Sequence, residues 1–331
     1  MAGPYFPGMA GQEATIQSES ETVGEAGTAS GLRLRVILNR GGGTVVREGP
    51  DALRDRVAAA FADAGVEAEV VLAEGDGIGR EIEGALGRAR AGELSGVVVG
   101  GGDGTVGSAA GILAGTGVPL GVLPAGTLNH FAKDLGMPLE IEAACAAIAA
   151  GRTRRVDVAE VNGRVFVNNS AVGFYPYMVI DRERRRDHAG LSKWPAMTLA
   201  LLRGVRHFPR RRLRVCVEGS AKPYRTPCLF VGNNAYDMSM LALRRERLDG
   251  GQLWLFVAGH QDRLAFLWLA ARIAVGGLER PGNFETVSTP SAEILSRASH
   301  LPVSTDGEVQ RLRPPLRYRS RPGELVVFAP E

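Results

Sequence analysis

The most constraining stretch of the chain is Gly96–Gly100, GVVVG. It is apolar at every position, too short for a helix, and bounded by glycines. Such a run predicts a strand buried on both faces, which is the signature of a parallel sheet covered by helices. VPLGVLPAG, at 118–126, has the same character. Between residues 32 and 150 these strands alternate with helical patterns. LRLRVILN is followed by DALRDRVAAAFADAG, where Leu53, Val57 and Phe61 recur every fourth residue. Asp51 is placed to cap that helix and Gly65 to end it. VEAEVVL then leads into DGIGREIEGALGRARAG, with Ile78, Ile82 and Leu86 on one face. TLNHFAKDLG opens a further helix and EIEAACAAIAAG forms another. Strand and helix in alternation predict a doubly wound, mostly parallel α/β domain over residues 31–153.

The pattern changes after Thr153. RRVDVAEVNGRVFVNNSAVG reads as two strands about Asn162-Gly163, a pair that suits a tight hairpin turn because both positions take positive φ. Further short strands follow in RRLRVCVEG, PCLFVGN, QLWLFVAG, SAEILSRA, LPVSTDGEV and GELVVFAP, interrupted by helical stretches near 190–207 and 261–276. This half, residues 154–331, is expected to be an antiparallel β-sandwich, with the extreme C-terminus returning to the first domain. At 331 residues and 45 % hydrophobic composition, the chain has material for two cores.

Residues 1–30 are rich in Gly, Ser and Glu without periodicity, and are expected to form a disordered leader rather than a signal peptide or anchor. No apolar run reaches the roughly 18 residues of a spanning helix. The nearest, LAFLWLAARIAVGGL at 264–278, contains Arg272. Three cysteines without a CxxC pair exclude a disulfide framework and a zinc ribbon, and point to a cytoplasmic setting. A net charge of +3 does not point to nucleic acid. The charge is uneven, however. Residues 181–214 carry eleven Lys or Arg against three acids, net +8, with Trp194, Met197, Leu201 and Val205 at helical spacing. This segment reads either as a lipid-facing basic helix giving peripheral membrane contact, or as a packed helix with a solvated basic rim.

Chemistry concentrates at three strand ends. GGGDGT follows the GVVVG strand and opens a helix, so backbone N–H groups are exposed where phosphate binds well. Asp103 would repel phosphate by itself. It reads as a helix cap, as a carboxylate holding Mg2+ or its waters, or as an acceptor for a ribose or backbone group. NRGGGT places Asn39, Arg40, Gly41, Gly42 and Gly43 after the first strand, and LPAGTLNHFA places Gly126, Thr127, Asn129 and His130 after another. In an open parallel sheet all three ends share one edge, where ligands bind. Neither GxxxxGK[ST] nor a GxGxxG after the first strand is present, which excludes a P-loop and disfavours a dinucleotide fold.

GGGDGT, then LPAGTLNHFA, then VDVAEVNGRVFVNNSAVG and finally STDGEV together resemble the diacylglycerol kinase catalytic-domain family, which includes bacterial lipid kinases and sphingosine and ceramide kinases. The resemblance covers about residues 33–330. It implies an ATP-binding α/β domain, a β-sandwich lipid domain and a cleft between them. It implies that Asn39, Arg40, Gly41, Gly42, Gly43, Gly101, Gly102, Asp103, Gly104, Thr105, Gly126, Thr127, Asn129 and His130 line the nucleotide site. It assigns the proton acceptor to Glu308, with Asp306, Asp103 and Asp157 as further catalytic acids organising Mg2+ and water. The bland alternatives are a β-turn with solvated acids at 306–308, and an outward Asp157 paired to Arg154 or Arg155. Many relatives have GTxND where this chain has His130. The family's LDDGxL segment, whose second Asp helps hold a structural Mg2+, here reads LDGGQL, so Gly250 replaces that acid and only Asp249 remains. The expected activity is an ATP- and Mg2+-dependent lipid kinase. The rivals are a kinase of a soluble acceptor such as NAD, and a catalytically silent nucleotide- or lipid-binding regulator.

Overall fold

A computed structural model describes residues 31–173, 176, 213–217, 224–226, 228–237, 244–245, 247–258 and 284–330. The leader 1–30, the basic segment as far as residue 212, and the apolar stretch 264–278 lie outside them.

The first half runs β1 (Arg33–Asn39), α1 (Gly43–Glu48), α2 (Pro50–Asp63), β2 (Glu67–Ala73), α3 (Asp76–Arg90), β3 (Gly96–Gly100), α4 (Asp103–Leu113), β4 (Leu120–Leu123), α5 (His130–Asp134) and α6 (Ile141–Ala149). The second half runs β5 (Thr153–Val161), β6 (Arg164–Phe166), β7 (Asn169–Gly173), β8 (Leu213–Val217), β9 (Tyr224–Thr226), β10 (Cys228–Asn233), β11 (Tyr236–Asp237), β12 (Arg244–Arg245), β13 (Leu253–Ala258), β14 (Phe284–Thr289), β15 (Ser291–Leu295), β16 (Leu301–Thr305), β17 (Glu308–Leu312) and β18 (Leu316–Phe328).

β2, β1, β3 and β4 are parallel neighbours, and the continuous apolar strands β3 and β4 are buried at every residue. α2 packs on α6 and α3 on α4, so helices cover the sheet in two layers, as a doubly wound domain requires. The second sheet, β14-β13-β10-β7-β16-β17, is antiparallel throughout. Its inner face packs on β5, β8, β15 and β18 through a second core that includes Val172, Val231, Leu255, Val215, Ile294 and Tyr318. That is the antiparallel sandwich.

The two halves share one sheet. Strand order β2-β1-β3-β4-β18-β15-β8-β9 continues from the parallel strands into the sandwich. β18 makes the junction. Its Leu316–Arg319 stretch pairs with β15, and at its other end Val327 pairs parallel with Leu120 of β4. Leu325, Val327 and Phe328 lie in the first core, as do Val156 and Val158 of β5. A cut at residue 153 therefore divides the chain but not the sheet.

The pairing of β18 with β5 shifts register between Arg321 and Leu325, at a bulge containing Gly323 with φ +62°. Asp157 holds this bulge. It is 2 % exposed, and its carboxylate accepts the N–H of Gly323 at 2.8 Å and of Gly251 at 2.6 Å. Its own N–H donates to the carbonyl of Leu248 at 2.7 Å. The expectation of an outward Asp157 paired to arginine is thus overturned. The structure places both of its oxygens on backbone N–H groups.

Three local expectations are also corrected. Gly49, not Asp51, is the N-cap of α2; Pro50 opens the helix and Asp51 pairs with Arg54 at 2.8 Å. The NRGGGT loop turns at once into α1, a helix too short to show apolar periodicity. The helix expected from Thr127 begins at His130, because Asn129 takes left-handed backbone with φ 52°. No helix among the described residues is long and apolar enough to cross a membrane.

Asp157→Ala leaves two part-buried N–H groups without their acceptor, and the expected loss is about 2 kcal/mol of unfolding free energy. Urea denaturation followed by far-UV circular dichroism measures it; a loss within experimental error would refute the anchoring role.

Candidate active site

The three glycine-rich loops meet at the carboxyl ends of β1, β3 and β4. Asn39 closes β1 and ties the first two loops: its Nδ2 donates to Thr105 Oγ1 at 2.8 Å, and its Oδ1 accepts the Gly41 N–H at 2.9 Å. The Thr44 N–H donates to the carbonyl of Ala125 at 3.1 Å, joining the first loop to the third. Arg40 and Thr127 are exposed beside them and His130 is half-buried.

Gly126 shows why no side chain is admitted where the second and third loops cross. A Cβ there would lie 2.4 Å from Gly102 Cα and 2.8 Å from the Gly101 carbonyl oxygen. Both are backbone atoms and cannot rotate away. Asn129 holds the turn. Its Oδ1 accepts the Gly126 N–H at 2.9 Å, and its Nδ2 donates to the carbonyls of Pro124 and Gly126, each at 3.1 Å. Asn129 was expected to touch nucleotide; its side chain is instead occupied in shaping the loop. Its left-handed backbone suits asparagine, which tolerates that region better than most residues.

Asp103 is the first residue of α4, and Gly102 is the N-cap. The capping alternative is therefore excluded. Asp103 Oδ1 accepts two bonds, from the Phe131 N–H at the start of α5 and from Asn168 Nδ2, both at 3.2 Å. No described bond falls on Oδ2.

The acids of STDGEV separate at a two-residue turn. Asp306 and Gly307 take φ 48° and 90° between the paired residues Thr305 and Glu308, the geometry of a type I′ hairpin. The Asp306 carboxylate turns inward. It accepts the N–H groups of Val167 at 2.8 Å, Asn168 at 2.8 Å and Asn169 at 3.2 Å. Burial pushes its carboxyl up to about 7, while the three amide donors pull the other way. Asp306 is thus a clamp on the 167–169 backbone, beside the helix start that carries Asp103. The clamp presses the hairpin onto α4: a Cβ on Gly107 would lie 2.7 Å from Asp306 Oδ2, and one on Gly104 would lie 3.0 Å from Glu308 Oε1. Glu308, exposed at the start of β17, therefore stands over the first turn of α4, one residue from Asp103.

Asp249 lies elsewhere. It is exposed and paired with Arg247 at 2.8 Å, which holds its carboxyl below the usual aspartate range. A Cβ on Gly250 would meet the Asn234 side-chain oxygen at 2.9 Å, so a side chain there requires Asn234 to shift. The residues present do not fit the structural Mg2+ site of the family. Among the described residues no group of three His, Cys, Asp or Glu side chains is placed to hold a metal by itself.

Sequence reasoning missed the centre of the polar wall. Arg245, 4 % exposed, pairs its Nε with Asp134 Oδ2 at 2.8 Å and donates from NH2 to Asn168 Oδ1 at 3.0 Å. Its NH1 donates to the carbonyl of Val167. Phe131 lies under the guanidinium, 5.6 Å from ring centre to Cζ. Tyr236 donates to the carbonyl of Asn168 at 2.9 Å, and burial raises its hydroxyl to about 12.

Residues 33–161 match the family model described as the diacylglycerol kinase catalytic domain. The first domain belongs to that family. Among curated relatives, an uncharacterized Synechocystis protein is 28 % identical over 71 % of this chain and 54 % of its own length. A diacylglycerol kinase of Mycobacterium tuberculosis is 39 % identical over 35 % of this chain and 39 % of its own. The matched part thus spans only about half, or less, of these curated relatives. A solved Bacillus anthracis structure superposes with a TM-score of 0.70 at 23 % identity, covering 90 % of this chain and 95 % of that one. A second, of a diacylglycerol kinase from the same organism, gives 0.60 at 19 % identity over 90 % and 96 %. These structural likenesses carry the fold of both domains, including the sandwich strands after β5 that the family match does not reach.

Gly126→Ala forces a methyl group into backbone and is expected to cost about 1–3 kcal/mol. Thermal or urea unfolding measures this directly; an alanine variant as stable as the parent would show that the two loops are not in contact.

Proposed function

We propose that the chain is an ATP- and Mg2+-dependent lipid kinase, transferring the γ-phosphoryl group to a lipid hydroxyl. The observation that carries the reading is the placement of Glu308, from one domain, over the glycine loop and helix start contributed by the other. A phosphate cradle and a carboxylate facing it are the two parts that phosphoryl transfer to an alcohol needs.

In this reading the loops at 40–43, 101–104 and 126–127 offer backbone N–H groups to the nucleotide phosphates. Glu308 orients the acceptor hydroxyl and takes its proton as the new P–O bond forms. Mg2+ would be held by Asp103, directly or through water, and by the phosphates themselves; it supplies charge neutralisation at the transferring group. That donor set suits Mg2+, which commonly binds one or two carboxylates plus substrate phosphates rather than an all-protein cage. His130, at the start of α5, places an imidazole where many relatives have a carboxylate, so Asp103 carries the cation side of the site with less help.

The acceptor is a lipid whose hydroxyl reaches Glu308 from the sandwich side; diacylglycerol and sphingoid bases are the classes to try first. The basic segment 181–214 fits peripheral contact with an anionic membrane face, each cation contributing about 1 kcal/mol near the surface.

The test is transfer of labelled γ-phosphate from ATP to a panel of diacylglycerol, sphingoid base and ceramide in mixed micelles, with NAD as soluble control. The parent is expected to label at least one lipid. Glu308→Gln, folded by circular dichroism, is expected to lose about 100-fold or more in kcat. Labelling of NAD alone, or full turnover by the glutamine variant, would sink the reading.

A further inference from the structure

The polar wall behind Asp103 alternates in charge and in hydrogen-bonding polarity. Asp134 Oδ2 accepts from Arg245 Nε at 2.8 Å; Arg245 NH2 donates to Asn168 Oδ1 at 3.0 Å; Asn168 Nδ2 donates to Asp103 Oδ1 at 3.2 Å. A guanidinium can only donate and an ionised carboxylate can only accept. The Asn168 amide therefore has one allowed orientation. Flipped, it would turn N–H groups toward the guanidinium and its oxygen toward the carboxylate. Arg245 is itself fixed, since Asp134 also accepts its backbone N–H at 3.4 Å and the carbonyls of Val167 and Asn233 accept from NH1. Asn168 is 4 % exposed and its backbone N–H is held by the Asp306 clamp at 2.8 Å, so the amide has little room to move.

We propose that Asn168, aligned by Arg245, is a positioning residue that sets the rotation of the Asp103 carboxylate and so fixes which oxygen is presented to the nucleotide-bound cation. The idea rests on the kinase reading. Its physical content is that two donors, the Asn168 amide and the Phe131 N–H, both fall on Oδ1. The carboxylate cannot rotate without losing both, so Oδ2 is the oxygen left for metal or its water. The partners come from different domains: Phe131 and Asp134 belong to α5, whereas Asn168 and Arg245 belong to the sandwich side. Cation geometry thereby depends on the two halves being docked. A network of this kind behind a metal-binding carboxylate typically changes metal affinity about 10- to 100-fold when broken.

The experiment reads binding, not turnover. Mn2+ replaces Mg2+ as a paramagnetic probe, and its half-saturation is followed by electron paramagnetic resonance on full-length protein saturated with a non-hydrolysable ATP analogue. Asn168→Ala is expected to raise the Mn2+ half-saturation concentration about tenfold or more. Its affinity for the metal-free analogue should stay within about twofold of the parent. Arg245→Lys keeps the charge but loses the planar fork that aligns the amide, and is expected to shift Mn2+ binding in the same direction; it also serves should the alanine variant not fold. Unchanged Mn2+ half-saturation in either variant, with thermal stability near the parent's, overturns the positioning role. A loss of metal-free nucleotide binding equal to the loss of Mn2+ binding also overturns it, since that is general damage. Parent protein that binds no Mn2+ with the analogue overturns the kinase reading itself, and is recognised because no variant is involved.

Discussion

The cleft depends on one half-buried carboxylate. Asp306 takes three backbone N–H groups from residues 167–169 and sits against α4 at Gly107. These bonds decide where Glu308 can be, because the hairpin turn has only two residues and its φ values leave little freedom. They also decide where Asn168 is, and through it how Asp103 is turned. Carboxylate bonds to N–H groups are stronger than neutral ones and shorter in reach. A single aspartate thus fastens the acid from one domain to the glycine-rich loop of the other.

The same economy recurs at Asp157, which joins the β18 bulge to the loop before β13. Both aspartates sit where chain irregularities would otherwise leave buried N–H groups without acceptors. A buried amide must find a partner, and where the ladder is interrupted a side chain has to supply it. Gly251 and Gln252 are held by Asp157 and Asn234, with the Asn234 N–H donating to the Gln252 carbonyl at 2.9 Å. Gly250 is then a fitted residue, since a side chain there would collide with Asn234.

The parallel strands were legible because burial on both faces leaves a compositional mark at each residue, as in Gly96–Gly100. The Asn162-Gly163 hairpin was legible because positive φ restricts residue choice, and both residues do take it, at 48° and 82°. The convergence of the three loops followed from parallel topology alone. What could not be read was which way a carboxylate faces. Asp306, Asp157 and Asp103 look alike in sequence, yet the first two have both oxygens on backbone N–H groups, whereas Asp103 has its described bonds on one oxygen alone. Their partners lie 137 to 139, 94 to 166, and 28 to 65 residues away, distances over which local pattern carries no information. Arg245 was invisible for the same reason. It falls in a charged stretch that reads as solvated surface, and only Asp134, 111 residues distant, explains its burial.

Burying Arg245 and Asp134 together is costly, and a pair of apolar side chains could fill that space as well or better for stability alone. What an apolar pair could not do is impose direction on a neighbouring amide. The guanidinium accepts nothing, so it forces the Asn168 oxygen toward itself and the Asn168 nitrogen toward Asp103. The ion pair then has its physical reason in the site rather than in the core. It lies on the seam where α5 meets the sandwich, with Phe131 contributing both the ring beneath Arg245 and the N–H on Asp103. A domain movement that separated Asp134 from Arg245 would free the amide, and with it the Asp103 carboxylate it donates to.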